Sequence, residues 1–318
     1  MTAPDDEAPR GRAMTRRAFA LSAAVAPFAS AQGRLPSISH AAGALPYAAF
    51  EYPRPKFEIR ETKSEKRDGA VIRDITYVNT WNQRAAAYLV EPQRRARGAT
   101  SPGILWVHWY EPEAKDSNRT QFLEQAVELA HDGAVSLLPE TMWSDPEWFK
   151  KRKPEEDYQK TLHQVHELRR ALDLLEAQKR VLGVAYVGHD FGAMFGAVLA
   201  GADSRPKVYA LQAGAPRFSD WYLLGRKLDD AARRRVMDQF APLDPVRYIG
   251  RATPSRVLFQ FGRSDPYVPE ASARAFLAAC REPKDVLWYD AGHALSAGAV
   301  RDRQEWLRKY LFAQGGAG

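Results

Sequence analysis

The five residues Gly188-His189-Asp190-Phe191-Gly192 constrain this chain more than any other stretch. They follow the apolar run Val184-Ala185-Tyr186-Val187 and precede the small-residue run Ala193-Met194-Phe195-Gly196-Ala197-Val198, which reads as strand, sharp turn and helix. Glycines two positions before and two after Asp190 remove side chains where strand and helix would collide. Such a turn lifts Asp190 to the C-terminal edge of a sheet, and the helix behind it offers backbone N–H groups to negative charge. This is the pattern of a nucleophile elbow, whose reactive residue is usually Ser and here is Asp.

The rest of the chain supplies a frame for that turn. Strands are expected at Val71–Val78, Arg84–Val90, Gly103–His108, Ala134–Leu138, Val181–Val187, Val208–Gln212, Arg256–Phe261 and Val286–Tyr289. Helices are expected over Gln121–His131, within Pro154–Lys179, from Ala271 to Cys280, and over Ala299–Phe312. After the first hairpin the two types alternate, which predicts an α/β class: a mainly parallel central sheet with helices on both faces. A hydrophobic share of 45% is enough to fill such a core. The net charge of +7 comes without a long basic block, since Arg94–Arg97 and Arg233–Arg235 are short clusters, so nucleic-acid binding is not expected.

The N-terminus reads as an address. Thr15-Arg16-Arg17 precedes the apolar run Ala18–Ala29, and Ala29-Ser30-Ala31 supplies a small-x-small cleavage pattern. Residues 1–31 are therefore expected to be a twin-arginine-type signal peptide, with Met14 as an alternative start. The expected partner is the twin-arginine export machinery, and the expected location is a bacterial periplasm or beyond. Residues 32–53, rich in Ala, Pro and Ser, are expected to be a linker or a draped arm, and 54–318 the single domain. No stretch is long enough for a stable membrane span. Cys280 is the only cysteine, so no intramolecular disulfide forms.

Two further residues complete a constellation in the chain order nucleophile, acid, base. Asp265 lies in Gly262-Arg263-Ser264-Asp265-Pro266 after one strand, and His293 in Asp290-Ala291-Gly292-His293 after the last. Asp265 would orient His293, which would take a proton from water. The backbone N–H of Phe191, with that of Trp109 or alternatively Tyr110, is expected to form an oxyanion hole. A surface Asp on a glycine turn, and an Asx-turn at Asp265, are the plain alternatives. His163 and His166 lie one helical turn apart beside Glu167 without a third ligand cluster, and the glycines at 188, 192 and 196 miss the dinucleotide-binding spacing. No metal or cofactor is expected.

These motifs, over about residues 57–312, resemble the α/β-hydrolase superfamily. His108 at a strand end, Gly262-x-x-Asp265 and Gly292-His293 are similar to the dienelactone-hydrolase-like branch. Gly-His-Asp-x-Gly resembles epoxide hydrolases and haloacetate or haloalkane dehalogenases, whose nucleophile is Asp. Phe191 stands where haloalkane dehalogenases carry a halide-binding Trp. Only Ala213–Ser255 is available for a cap, so a minimal lid is expected over 213–255. The resemblance implies two-step hydrolysis of epoxides or halogenated carbons through an Asp190 ester. Tyr222, Tyr110 or Tyr248 would donate a proton, and Tyr110, Trp143, Trp221 and Tyr222 would line a site for a small-molecule substrate. An esterase or lactonase, and a non-catalytic ligand-binding relative, remain the alternatives.

Overall fold

The apolar runs pair as strands and the amphipathic runs cover them. The computed structural model describes residues 43–95, 98–114, 117–252 and 255–312; the expected signal peptide over 1–31 lies outside them. An antiparallel meander opens the domain, with β1 (Arg60–Arg67), β2 (Ala70–Val78) and β3 (Arg84–Pro92). Then follow β4 (Ser101–Val107), α1 (Leu123–His131), β5 (Val135–Pro139), α2 (Trp148–Lys151), α3 (Asp157–Glu176), β6 (Val181–His189) and α4 (Phe191–Ala202). The second half comprises β7 (Pro206–Gln212), α5 (Phe218–Tyr222), α6 (Asp230–Phe240), β8 (Arg256–Gly262), α7 (Glu270–Ala279), β9 (Lys284–Tyr289) and α8 (Ala297–Leu307).

Among the described residues nine strands form one sheet in the order β1-β2-β3-β5-β4-β6-β7-β8-β9. From β5 to β9 every pairing is parallel. Strand periodicity divides the side chains between two cores. Leu105 and Val107 of β4 join the core built with α3 and α4, whereas Ile104 and Trp106 join the one built with α1 and α8. Trp106, buried, donates its indole N–H to Ser136 Oγ at 2.9 Å. No helix among the described residues is long and apolar enough to cross a membrane.

Sequence patterning did not reveal β1. Its residues, Arg-Glu-Thr-Lys-Ser-Glu-Lys-Arg, carry no apolar alternation because all but the last are exposed at the sheet edge. The segment between β7 and β8 holds only α5, α6 and three short 3-10 turns.

Residues 44–57 lie along α3 and are held by its polar side chains. Arg169 donates to Phe50 O and, at 2.8 Å, to Tyr47 Oη. His166 bonds Ala49 O at 2.9 Å, Arg170 donates to Pro55 O, and Tyr52 donates to Asp173. His163 instead stacks on Trp81 and bonds Thr80 and Glu167. Arg169 also pairs with the buried Asp203 at 3.0 Å, which Arg205 approaches at 2.7 Å. Removing one partner of a buried pair strands the other's charge. Arg169→Met is expected to cost about 3 kcal/mol in urea unfolding, because it releases both the arm and one cation from Asp203.

Candidate active site

The elbow is set by contacts too close for any side chain. A Cβ on Gly188 would sit 2.3 Å from Gly192 O, and one on Gly192 would sit 2.1 Å from Val107 O at the end of β4. Between these glycines Asp190 takes φ 56° and ψ −116°, a left-handed conformation that costs an L-residue of order 1–3 kcal/mol. Its backbone N–H donates to Gln212 O at 2.9 Å, anchoring the turn to β7. The Asp190 side chain is 2% exposed.

The two carboxylate oxygens of Asp190 face different surroundings. Oδ2 accepts the Tyr110 N–H at 3.3 Å, and the backbone N–H of Phe191, the next residue, also favours the charged carboxylate. Oδ1 has no hydrogen-bond partner among the described residues and lies 3.9 Å from His293 Nε2, which also lacks one. A water or a reacting atom bridging that gap would satisfy both.

His293 is fixed from its other nitrogen. Nδ1–H donates to Asp265 Oδ2 at 2.8 Å. Asp265 Oδ1 meanwhile accepts the N–H groups of Tyr267 at 2.8 Å and Val268 at 3.0 Å. The Asx-turn and the orienting carboxylate are thus one residue using its two oxygens separately. Around the imidazole, Trp109 stacks at 5.9 Å and 6°, Trp221 tilts at 5.6 Å, and Tyr267 meets it edge-on at 5.2 Å.

Several expected roles need correction. The Trp109 N–H donates to Gln121 Oε1 at 2.8 Å and is not directed at Asp190; the N–H aimed there is that of Tyr110, one residue on. Trp143 is a core residue: its ring packs on Phe191 and Phe195, and its N–H donates to His108 O at 3.0 Å. None of the three tyrosines offered as proton donors has a free proton. Tyr110 donates to Pro146 O at 2.6 Å and Tyr248 to Pro242 O at 2.6 Å. Thr161 gives its own proton to Asp157 O, so the Tyr222 hydroxyl, 2.7 Å from Thr161 Oγ1, must donate to it. Trp221 does reach His293, and its indole N–H is buried without a partner among the described residues.

Sequence reasoning overlooked Tyr267. It stands two residues after Asp265 because the Asx-turn carries it there, and that turn was the available signal. Its hydroxyl has no hydrogen bond among the described residues. Burial, followed by the Asp265 and Asp190 charges, raises its pKa and keeps the phenol protonated.

Charge is held tightly here. Burial is the largest influence on Asp190 and raises its pKa to about 7, against the lowering effects of the His293 charge and the two N–H groups. Burial disfavours the charged form of His293 too. The Asp265 hydrogen bond and the charges of Asp190 and Asp265 outweigh it, leaving its pKa above the ordinary value. Both groups bind protons more tightly in the folded chain than in the unfolded one. Stability is therefore lost as the pH rises from the unfolded carboxylate value of 3.8 through about 7. Asp190→Asn, which removes the buried charge, is expected to be more stable than the native chain at alkaline pH by about 2–4 kcal/mol, the difference fading toward acid pH. Denaturant melts across pH check this.

Neither a protein-family model nor a curated protein sequence matches the chain. Solved structures do resemble it. An acetyl xylan esterase from Paenibacillus sp. R4 superposes with a TM-score of 0.67 at 16% identity, covering 81% of this chain and 90% of that one. Acetyl xylan esterase 1 from Thermoanaerobacterium sp. gives 0.66 at 14% identity, covering 82% and 91%. A candidate dienelactone hydrolase from Klebsiella pneumoniae gives 0.56 at 15% identity, covering 77% and 99%. At such identities the likeness is one of architecture, and together with the sheet order it establishes that this chain has the α/β-hydrolase fold.

Proposed function

We propose that the protein is a hydrolase that works through a covalent ester on Asp190, acting at saturated carbon in epoxides or halogenated compounds. The observation that carries this reading is the division of labour in the Asp190 carboxylate. Oδ2 already takes the N–H of Tyr110, while Oδ1 is unpaired among the described residues and faces His293. In the first step an Oδ1 lone pair forms a bond to carbon, and the carbon–oxygen or carbon–halogen bond breaks with its electron pair. In the second, His293 takes a proton from water, whose oxygen adds to the Asp190 carboxyl carbon. Negative charge then develops on Oδ2, where the Tyr110 N–H already points, with the Phe191 N–H as the expected second donor. Collapse breaks the bond from the carboxyl carbon to Oδ1; the departing alcohol oxygen receives the proton from His293, and the carboxyl group, now with one oxygen from water, gives its remaining proton to solvent and returns to the carboxylate.

A second reading, an esterase with Asp190 in the place of Ser, is favoured by the names of the structural neighbours. Against it, an incoming ester carbonyl would have to displace Oδ2 from the same N–H groups, and attack would give a mixed anhydride.

Single turnover of an epoxide and haloalkanoate panel in heavy-oxygen water separates the two. The covalent route puts the label into the peptide carrying Asp190; turnover of these substrates with no label there overturns it. Because the first step needs ionised Asp190, kcat/KM is expected to rise with pH through about 7, and the second step, which needs neutral His293, is held back to a pH above the ordinary imidazole range.

The leaving group can be read from two donors. Tyr267 offers an O–H that an epoxide oxygen needs, and Trp221 an N–H that suits a halide. Tyr267→Phe is expected to slow epoxide opening about 100-fold while sparing halide release. Trp221→Phe is expected to do the reverse. Steady-state rates on styrene oxide and bromoacetate measure both.

A further inference from the structure

A line of two side chains, the half-buried Gln121 and the buried His189, joins the loop that carries Tyr110 to the loop that carries His293. The Trp109 N–H donates to Gln121 Oε1 at 2.8 Å. Gln121 Nε2 lies 2.8 Å from His189 Nδ1, and His189 Nε2 lies 2.8 Å from His293 O. The ends of this line fix its direction. A backbone N–H can only donate and a backbone carbonyl can only accept. His189 must therefore carry its proton on Nε2 and accept at Nδ1, and Gln121 must turn its NH2 toward the ring. One neutral imidazole and one amide satisfy the line, and neither can be reversed alone.

The carbonyl of Trp109 is held as well. It accepts from Asn118 Nδ2 at 3.0 Å, and His108 Nδ1 lies 2.7 Å away. That carbonyl belongs to the same peptide as the Tyr110 N–H aimed at Asp190 Oδ2. Both peptides flanking Trp109 are thus pinned, one of them through the relay. The rings add to this: Trp109 packs on His189 at 4.7 Å, and His189 on His293 at 5.4 Å. His189 is 2% exposed. Its burial, with the charges of His293 and Arg303, holds its pKa well below the ordinary value, so the ring does not gain the second proton that would break the line.

We propose that Gln121 and His189 are positioning residues that hold the Tyr110 N–H and the His293 ring in register on opposite sides of Asp190. This rests on the proposed covalent mechanism and adds to it. Register matters most in the second step, when His293 must deliver water to the carboxyl carbon while Tyr110 receives charge on Oδ2. Misplacement by about 1 Å can cost on the order of 100-fold in rate.

Nitrogen NMR of the histidine rings tests the relay without any substrate. In the native protein His189 is expected to stay neutral with its proton on Nε2 from about pH 5 to 8. In Gln121→Glu, two acceptors replace an acceptor and a donor, so the same ring is expected to become an imidazolium. A native His189 that protonates in that range, or carries its proton on Nδ1, overturns the proposal, as does a Gln121→Glu ring whose Nδ1 shows neither its own proton nor a hydrogen bond from the new carboxyl group. The kinetic arm uses His189→Phe, which keeps the ring packing, with styrene oxide and bromoacetate and intact-mass detection. The alkyl-enzyme is expected to accumulate, with its hydrolysis slowed about tenfold or more and its formation almost unchanged. Equal slowing of both steps, or of neither, overturns the positioning role. If the native protein and His293→Ala form no alkyl-enzyme at all, the covalent mechanism fails, and the ring spectra still decide whether the relay exists. The same spectra decide it if His189→Phe does not fold.

Discussion

Between the end of β4 and the first turn of α4 there is no room for a side chain. Val107 O presses on Gly192, Gly192 O presses on Gly188, and Asp190 is left between them with a positive φ. That crowding brings β4, β6 and α4 close enough for one loop N–H and one helix N–H to reach a single carboxylate. Loosen it and Asp190 would relax toward an ordinary turn, away from Tyr110 and His293. The strain at Asp190 is held by the packing around it, since α4 is buried almost throughout and the Tyr186 hydroxyl caps Gly192 O at 2.7 Å.

The second consequence is electrostatic. A serine at this position would bring no charge into the core, whereas a carboxylate does. Two backbone N–H groups and the nearby imidazole offset only part of the cost of burial, which is why Asp190 holds its proton to about 7. The same desolvation leaves the ionised form poorly solvated by anything other than the groups arranged around it. The proton affinity of Asp190 therefore originates chiefly in its burial, beside an imidazole that Trp109, Trp221 and Tyr267 surround.

The turn at Asp190 and the meeting of Asp190, Asp265 and His293 are legible in the sequence because each depends on short-range order: glycines beside Asp190, and Asp265 and His293 just past the ends of strands. The parallel core is legible from apolar runs. What is not legible depends on side chains distant in sequence. Whether Trp109 or Tyr110 presents its N–H to Asp190 is decided by Gln121, which claims the former. Tyr222 reads as a proton donor only while Thr161, on another helix, is left out, because the Thr161 oxygen takes its hydrogen. β1 escapes notice because an exposed edge strand has no apolar face to reveal it. An Asx-turn at Asp265 competes in sequence with a role beside His293, but a carboxylate has two oxygens and serves both.

That edge strand has an effect beyond the site. The outer side of β1 presents unpaired backbone groups, an open template for another strand. Its exposed residues include the charges of Arg60, Glu61, Lys63, Glu65 and Lys66, and the register with β2 shifts between Glu61 and Lys63. A second chain approaching this edge would have to strip water from a line of charges and match an interrupted hydrogen-bond repeat. Among the described residues the sheet therefore ends at β1, and the strand that guards the edge against a further strand is one whose residues stay out of the core.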